Sequence, residues 1–229
     1  MAALTFNLPS PPGFRGLDPD IPVTMYHRHL PHWRQKGATY FVTFRLADAL
    51  PQEKLNQIKR MRDSWEREHP PPRSEQQWED FARVIMRRTE AWMDEGYGEC
   101  FFRDAGLAGI MAAACRYFQD QRHVTFCYCV MPNHCHVAVK PLSDYELEQI
   151  LDSWKGYVAF QVNKLLGRHG ALWQEESYDR IVRDEEHLFR VVQYIGNNPA
   201  KAGLPREQWH RWVHPDWDAA GWGFQNAVS

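Results

Sequence analysis

The 229-residue chain lacks any surplus of positive charge: 27 Lys and Arg stand against 29 Asp and Glu, a formal net charge of -2. Bulk charge therefore cannot draw it to nucleic acid, and any such contact must rest on local patches. A long apolar run is also missing. No stretch approaches the roughly 20 residues of a membrane span. Met1 to Arg15 carries three prolines and no apolar core of a secretory leader. These absences predict a soluble, cytoplasmic protein. The five cysteines, Cys100, Cys115, Cys127, Cys129 and Cys135, are odd in number. A chain of this length needs no disulfide staples, so free thiols in a reducing compartment are expected. Internal repeats and low-complexity runs are absent as well.

The chain is rich in aromatics, with ten Trp, nine Tyr and twelve Phe, enough for a core and for base-stacking surfaces. At 44% hydrophobic it can bury one substantial core with room for an insertion. Residues 1–36 are rich in Pro, His and Arg and read as an irregular arm. Thr39 to Leu46 is β-branched and aromatic, a first strand. Pro51 opens a helix over Glu53 to Glu68, Pro70 to Pro72 breaks it, and Ser74 can cap a second helix ending at Asp94.

Asp104 caps a further helix over 105–120. His123 to Val130 and His134 to Lys140 make a hairpin around Pro132-Asn133. Ser143 caps a long helix over about 144–167, ended by Gly167. A last strand falls near 177–182, and Asp184 caps a helix over 185–197 stopped by Pro199. The tail, 205–229, is Trp-rich without a period. The order is βαββαβ plus a terminal helix. That predicts an α+β fold with a ferredoxin-like antiparallel sheet, helices on one face, and a helical insertion at about 51–95 inside a central domain of 37–204.

The most informative local pattern is Met131-Pro-Asn-His-Cys-His-Val137. On a strand, residues i and i+2 share a face, so His134 and His136 project side by side. Cys135, Val137 and Val139 then face a core. Two neutral imidazoles make half of a divalent-metal site. Sixty residues on, Tyr194 and Asn198 stand at i and i+4 of a helix and share a face. A lone tyrosine there would ordinarily be packing. Paired with a side-chain amide one turn away, it can also serve as nucleophile beside a metal ligand.

Taken together, these blocks resemble the IS200-like His-hydrophobic-His single-strand transposases, and more narrowly the REP-associated tyrosine transposases. The resemblance spans most of the chain: Tyr26 to Trp33, Gly37 to Asp48, Gly96 to Cys100, Trp154-Lys155, Trp173 to Arg180, Arg183 to His187, and Tyr194-x-x-Asn-Asn-Pro-x-Lys-Ala-Gly203. It implies that His134, His136 and Asn198 hold Mg²⁺ or Mn²⁺. It implies that Tyr194 attacks DNA to form a 5′-phosphotyrosine, enabling strand transfer without ATP. The implied partner is single-stranded DNA beside a hairpin or palindromic repeat, met by a nucleoid-associated protein for which family analogy favours a monomer. Two departures stand out: Cys135 where the family prefers an aliphatic residue, and a tail reading Asp216-Trp-Asp-Ala-Ala220 in place of Trp-Pro-Trp-Ser-Ser.

Phosphate contacts are expected from Arg180, Arg183, Lys155 and Lys201, and from Arg28 and His29 on the arm. Rival readings exist. Tyr178 is an alternative nucleophile, without an amide partner one turn away. Cys127-x-Cys129 with the histidine pair suggests structural zinc. The chain could also be a non-catalytic DNA-binding module, or a metal-dependent phosphodiesterase without a covalent step.

Overall fold

Tyr-Phe-Val-Thr-Phe-Arg at residues 40–45 is apolar on both strand faces, as a strand covered on both sides must be. In the computed structural model, which describes residues 7–28 and 30–225, this strand lies inside the sheet with a partner strand on each side. We number the strands β1 (Thr24–His27), β2 (Pro31–Arg34), β3 (Tyr40–Arg45), β4 (His123–Met131), β5 (His134–Pro141), β6 (Tyr178–Ile181) and β7 (His210–Val213). The helices are α1 (Gln52–Glu68), α2 (Glu75–Asp94), α3 (Ala105–Tyr117), α4 (Leu147–Leu166), α5 (Glu185–Lys201) and α6 (Pro215–Ala219). The main sheet runs β6-β3-β5-β4-β7 and is antiparallel throughout. Its first four strands keep the ferredoxin-like order.

Strand parity divides the sheet into two cores. Tyr40, Val42, Phe44, Cys135, Val137 and Val139 face α3 and α4, meeting Met111, Ile150, Trp154 and Val158. Phe41, Cys127, Cys129 and Ala138 face the other way, against Leu188, Val192 and Ile195 of α5 and against Trp209, Trp217 and Trp222. The two-residue period at β5 thus puts its small apolar side chains in one core and its histidines on the α5 side. The insertion is the pair α1 and α2. Ser74 accepts from the Gln77 amide and closes a capping box, fixing the start of α2. No helix among the described residues is long and apolar enough to cross a membrane.

Several expectations are corrected. The arm is not irregular: β1 and β2 form an antiparallel hairpin tied down by buried charge. His32 Nδ1 lies 2.6 Å from Asp179 Oδ2, and Arg34 pairs with Asp179 and, at 2.7 Å, with Glu148. A tertiary ionic cluster organises this segment, which local pattern cannot reveal. The long helix starts at Leu147 with Glu146 as its N-cap, because Ser143 sits at φ 55° in the preceding turn. The helix after Asp104 ends at Tyr117. Pro199 does not stop α5, which runs to Lys201. So near the helix end, the proline sacrifices a single backbone hydrogen bond. The tail holds a strand after all: β7 pairs with β4, Trp212 opposite Tyr128.

Candidate functional site

Strand β5 sets His134 and His136 on one face, and their Nε2 atoms lie 3.1 Å apart. Asn133 orients the first ring. Its Nδ2 donates to the carbonyls of Met93 (3.2 Å) and Tyr97 (3.1 Å), so its Oδ1 is the free acceptor. His134 Nδ1–H donates to that oxygen at 2.8 Å, which leaves the Nε2 lone pair pointing outward. Thr43 on β3 engages His136 Nδ1 at 2.8 Å. Two ligands bound at about 2.1 Å and at right angles on one ion stand about 3.0 Å apart. The spacing of the two Nε2 atoms fits a shared divalent cation.

Both imidazoles are held neutral. Burial, with the cations Lys201 and Arg45 adding to it, pushes His134 down to about 3. Burial, the neighbouring ring and Lys201 hold His136 well below its ordinary range. Neutral imidazole is the ligand form. No three His, Cys, Asp or Glu side chains converge on one point among the described residues. Asn198, the amide expected as a third donor, is nearly fully buried one turn after Tyr194 on α5. Its Nδ2 is used by the Tyr194 carbonyl at 3.1 Å, which reserves Oδ1 as the acceptor.

Helix α5 brings Tyr194 to the pair: its ring is edge-on to His136 with centroids 5.3 Å apart. Phe41 fills the remaining corner, stacked on His136 at 5.8 Å and edge-on to Tyr194 at 5.6 Å. The Tyr194 hydroxyl has no hydrogen bond of regular geometry. Burial and the adjacent carboxylate of Glu90 push its pKa well above the ordinary value, and Asn198 opposes them. Glu90 itself is raised by burial. Tyr178 on β6 meets Phe41 edge-on at 6.5 Å, and no ring contact joins it to either histidine among the described residues.

Residues 101–198 match the family model for IS200-like transposases, and that stretch contains His134, His136, Tyr194 and Asn198. A protein of Haemophilus influenzae named as a REP-associated tyrosine transposase is 24% identical over 160 residues, 62% of this chain and 85% of that one. A solved REP-associated tyrosine transposase bound to a REP hairpin aligns over 80% of this chain and 76% of that chain, at 14% identity and a TM-score of 0.40.

Around this site, the expected phosphate contacts separate. Arg180 and Arg183 border an open cleft that reaches Tyr194. Lys201 pairs with Asp94 of α2 at 3.1 Å, close enough to the histidines to depress their pKa values. Lys155 Nζ donates to the carbonyls of Gln174 (2.9 Å) and Glu175 (3.1 Å), which anchors a loop. Arg28 is exposed on the β1–β2 turn, and His29 lies outside the described residues. Cys127 and Cys129 sit in the α5-side core, where burial raises both thiols, Cys129 to about 12, against the thiolate that zinc requires. Sequence reasoning missed Glu90, Asp94, Arg45 and Thr43. Only Asn133, adjacent to the histidine pair, carried a local signal.

Titration of the buried histidines gives stability a two-sided pH dependence. Burial lowers His123 and His187 to about 4 and His134 to about 3, from an ordinary 6.5. Their contribution is complete above pH 6.5 and is lost as pH falls from there through 4. His32 runs the other way. Burial alone would lower it, but Asp179 and Glu176 outweigh that and raise it to about 9. Its contribution is complete below pH 6.5 and is lost as pH rises through 9. Thermal unfolding should give the highest Tm near pH 6.5, with His32→Gln flattening the alkaline limb alone. An unchanged alkaline limb in that variant would contradict the assignment.

Proposed function

We propose that this chain is a metal-dependent single-strand DNA transposase that cleaves and rejoins DNA through Tyr194, at hairpin-forming repeats. The observation that supports the reading is the ring contact of Tyr194 with His136, beside the close His134–His136 pair, across about sixty residues of chain. His134, His136 and Asn198 would hold Mg²⁺ or Mn²⁺. The ion would neutralise a non-bridging phosphate oxygen and make the phosphorus more electrophilic.

The chain's own residues account for the rest. The Tyr194 oxygen attacks phosphorus, a new P–O bond to tyrosine forms, and the bond to the 3′ oxygen breaks. Glu90, whose carboxylate adjoins the phenol, is placed to accept its proton. The leaving 3′ oxygen takes up a proton and departs as a hydroxyl. Reversal of the step by another 3′-hydroxyl joins strands without ATP. The raised pKa of Tyr194 keeps the phenol protonated until substrate arrives. Arg45, whose Nε is buried without a hydrogen-bond partner, and Lys201 supply positive charge beside the reacting phosphate. Hairpin preference rests on the resemblance carried by the sequence blocks quoted above.

Incubating the protein with a labelled hairpin bearing a single-stranded flank, with Mn²⁺, and running a denaturing gel tests this directly. The expected result is a covalent protein–DNA band that EDTA prevents. Cleavage without a band would replace the proposal with a phosphodiesterase, and binding without cleavage with a binding module. Metal affinity offers a second test. Asn133→Ala frees the His134 ring from its fixed tautomer and should weaken Mn²⁺ binding by roughly 10- to 100-fold. Calorimetric titration showing the same affinity as the wild type would argue against His134 as a ligand.

A further inference from the structure

Helix α2 belongs to the insertion and lies outside the family-matched segment, yet it forms one wall of a cleft that reaches the site. The cleft holds about 980 Å³ between α2 on one side and β6 with the start of α5 on the other, and Tyr194 lines it. Four arginines line it from both walls: Arg83 on α2, Arg180 on β6, Arg183 at the β6–α5 corner and Arg190 on α5. Two of the cleft's acidic residues are already committed. Asp179 is bound by His32 and Arg34, and Asp184 caps α5 by accepting the His187 amide at 2.7 Å. Trp33 and Tyr178 add aromatic surface.

Two features of this cleft point to an anion. The first is Arg180. Its guanidinium lies over the Phe41 ring at 5.6 Å, and its Nε is buried with no acceptor. A buried donor without an acceptor is costly, and a phosphate oxygen would satisfy it. The second is Glu79. From α2 it reaches across the cleft and ion-pairs with Arg183. Their side chains are 29% and 55% exposed, so water and salt weaken the pair and it is readily exchanged.

We propose that the single strand reaches Tyr194 through this cleft, its phosphates on Arg83, Arg180, Arg183 and Arg190, and that Glu79 holds the Arg183 position until a phosphate replaces it. The inference rests on the transposase reading above and adds a substrate path and a role for the insertion. Stacking surfaces on Trp33 and Tyr178 suit unpaired bases, which present their faces to such walls. A duplex has no free base faces to offer them.

Equilibrium binding separates this path from the underlying reading. Fluorescence anisotropy would follow a short labelled single strand with Tyr194→Phe protein in EDTA, so that no chemistry intervenes. Arg83 and Arg190 are 48% and 62% exposed, so the double variant R83A/R190A should fold normally, which its Tm would check. Losing two phosphate contacts should weaken binding on the order of 10-fold at low salt and reduce the slope of log affinity against log salt by about 1.4. Glu79→Gln should bind about twofold to fivefold more tightly, the worth of one exposed ion pair. Lys164→Ala, on the far helix α4, should match the parent. Binding by the parent with no change in R83A/R190A, or an equal loss in Lys164→Ala, would overturn the path while leaving the transposase reading intact. Failure of the parent itself to bind single strands would overturn both.

Discussion

Tyr194→Phe should remove the covalent DNA adduct altogether and lower strand cleavage on the order of 10⁴-fold or more, the scale on which loss of a nucleophile is felt. The change deletes one oxygen from a ring packed between Phe41 and His136. That oxygen makes no regular hydrogen bond, so its removal should leave folding and metal binding near those of the parent. Tyr178→Phe is the matched control. Tyr178 is also half-buried and also touches Phe41, but it lacks a ring contact with the histidines. It should retain the adduct. A denaturing gel of the two variants with hairpin DNA and Mn²⁺ decides the matter. An adduct that survives in Tyr194→Phe and vanishes in Tyr178→Phe would move the nucleophile to β6.

The second large effect is on stability. Asp179→Ala should cost about 3–5 kcal/mol, because it strands two buried partners. Asp179 is 3% exposed and serves both His32 and Arg34. With the carboxylate gone, Arg34 keeps Glu148, the Tyr26 hydroxyl and the Trp33 carbonyl, and loses its buried counter-charge. The β1–β2 hairpin, held to β6 by this cluster, should loosen first. Urea unfolding would measure the loss, and amide exchange in residues 24–34 would locate it. A change below about 1 kcal/mol would mean that the cluster is solvated and contributes as a surface pair does.

These two sites differ in how legible they were in the sequence. The histidine pair was readable because strand period two depends on nothing but neighbouring residues, and β5 obeys it. Helical spacing put Tyr194 and Asn198 on one face, but only the family resemblance singled them out as site residues. The β1–β2 hairpin was not, because its order comes from Asp179 and Glu148, more than a hundred residues away. β7 escaped because its four residues, His-Arg-Trp-Val, show no alternation and pair only with an edge that other segments first create. Lys155 looked like a surface cation until the carbonyls of Gln174 and Glu175 came to it. Glu90 and Asp94 were invisible for a further reason. They sit among many charges on an amphipathic helix, and only the docking of α2 over the site singles them out.

The tryptophans of the tail carry a consequence for how the protein is made. Trp217 Nε1 donates to the carbonyl of Pro12 and Trp222 Nε1 to that of Pro9, each at 2.9 Å and across more than 200 residues. The same two rings cover the apolar side of α5. At about 5–20 residues per second, a ribosome needs on the order of 10–40 s to synthesise the intervening chain. Throughout that interval the early prolines wait for their partners, and the helix bearing Tyr194, once made, has no floor until the two tryptophans follow it. The tyrosine should therefore settle into place late, after the tail has docked on both the first prolines and α5.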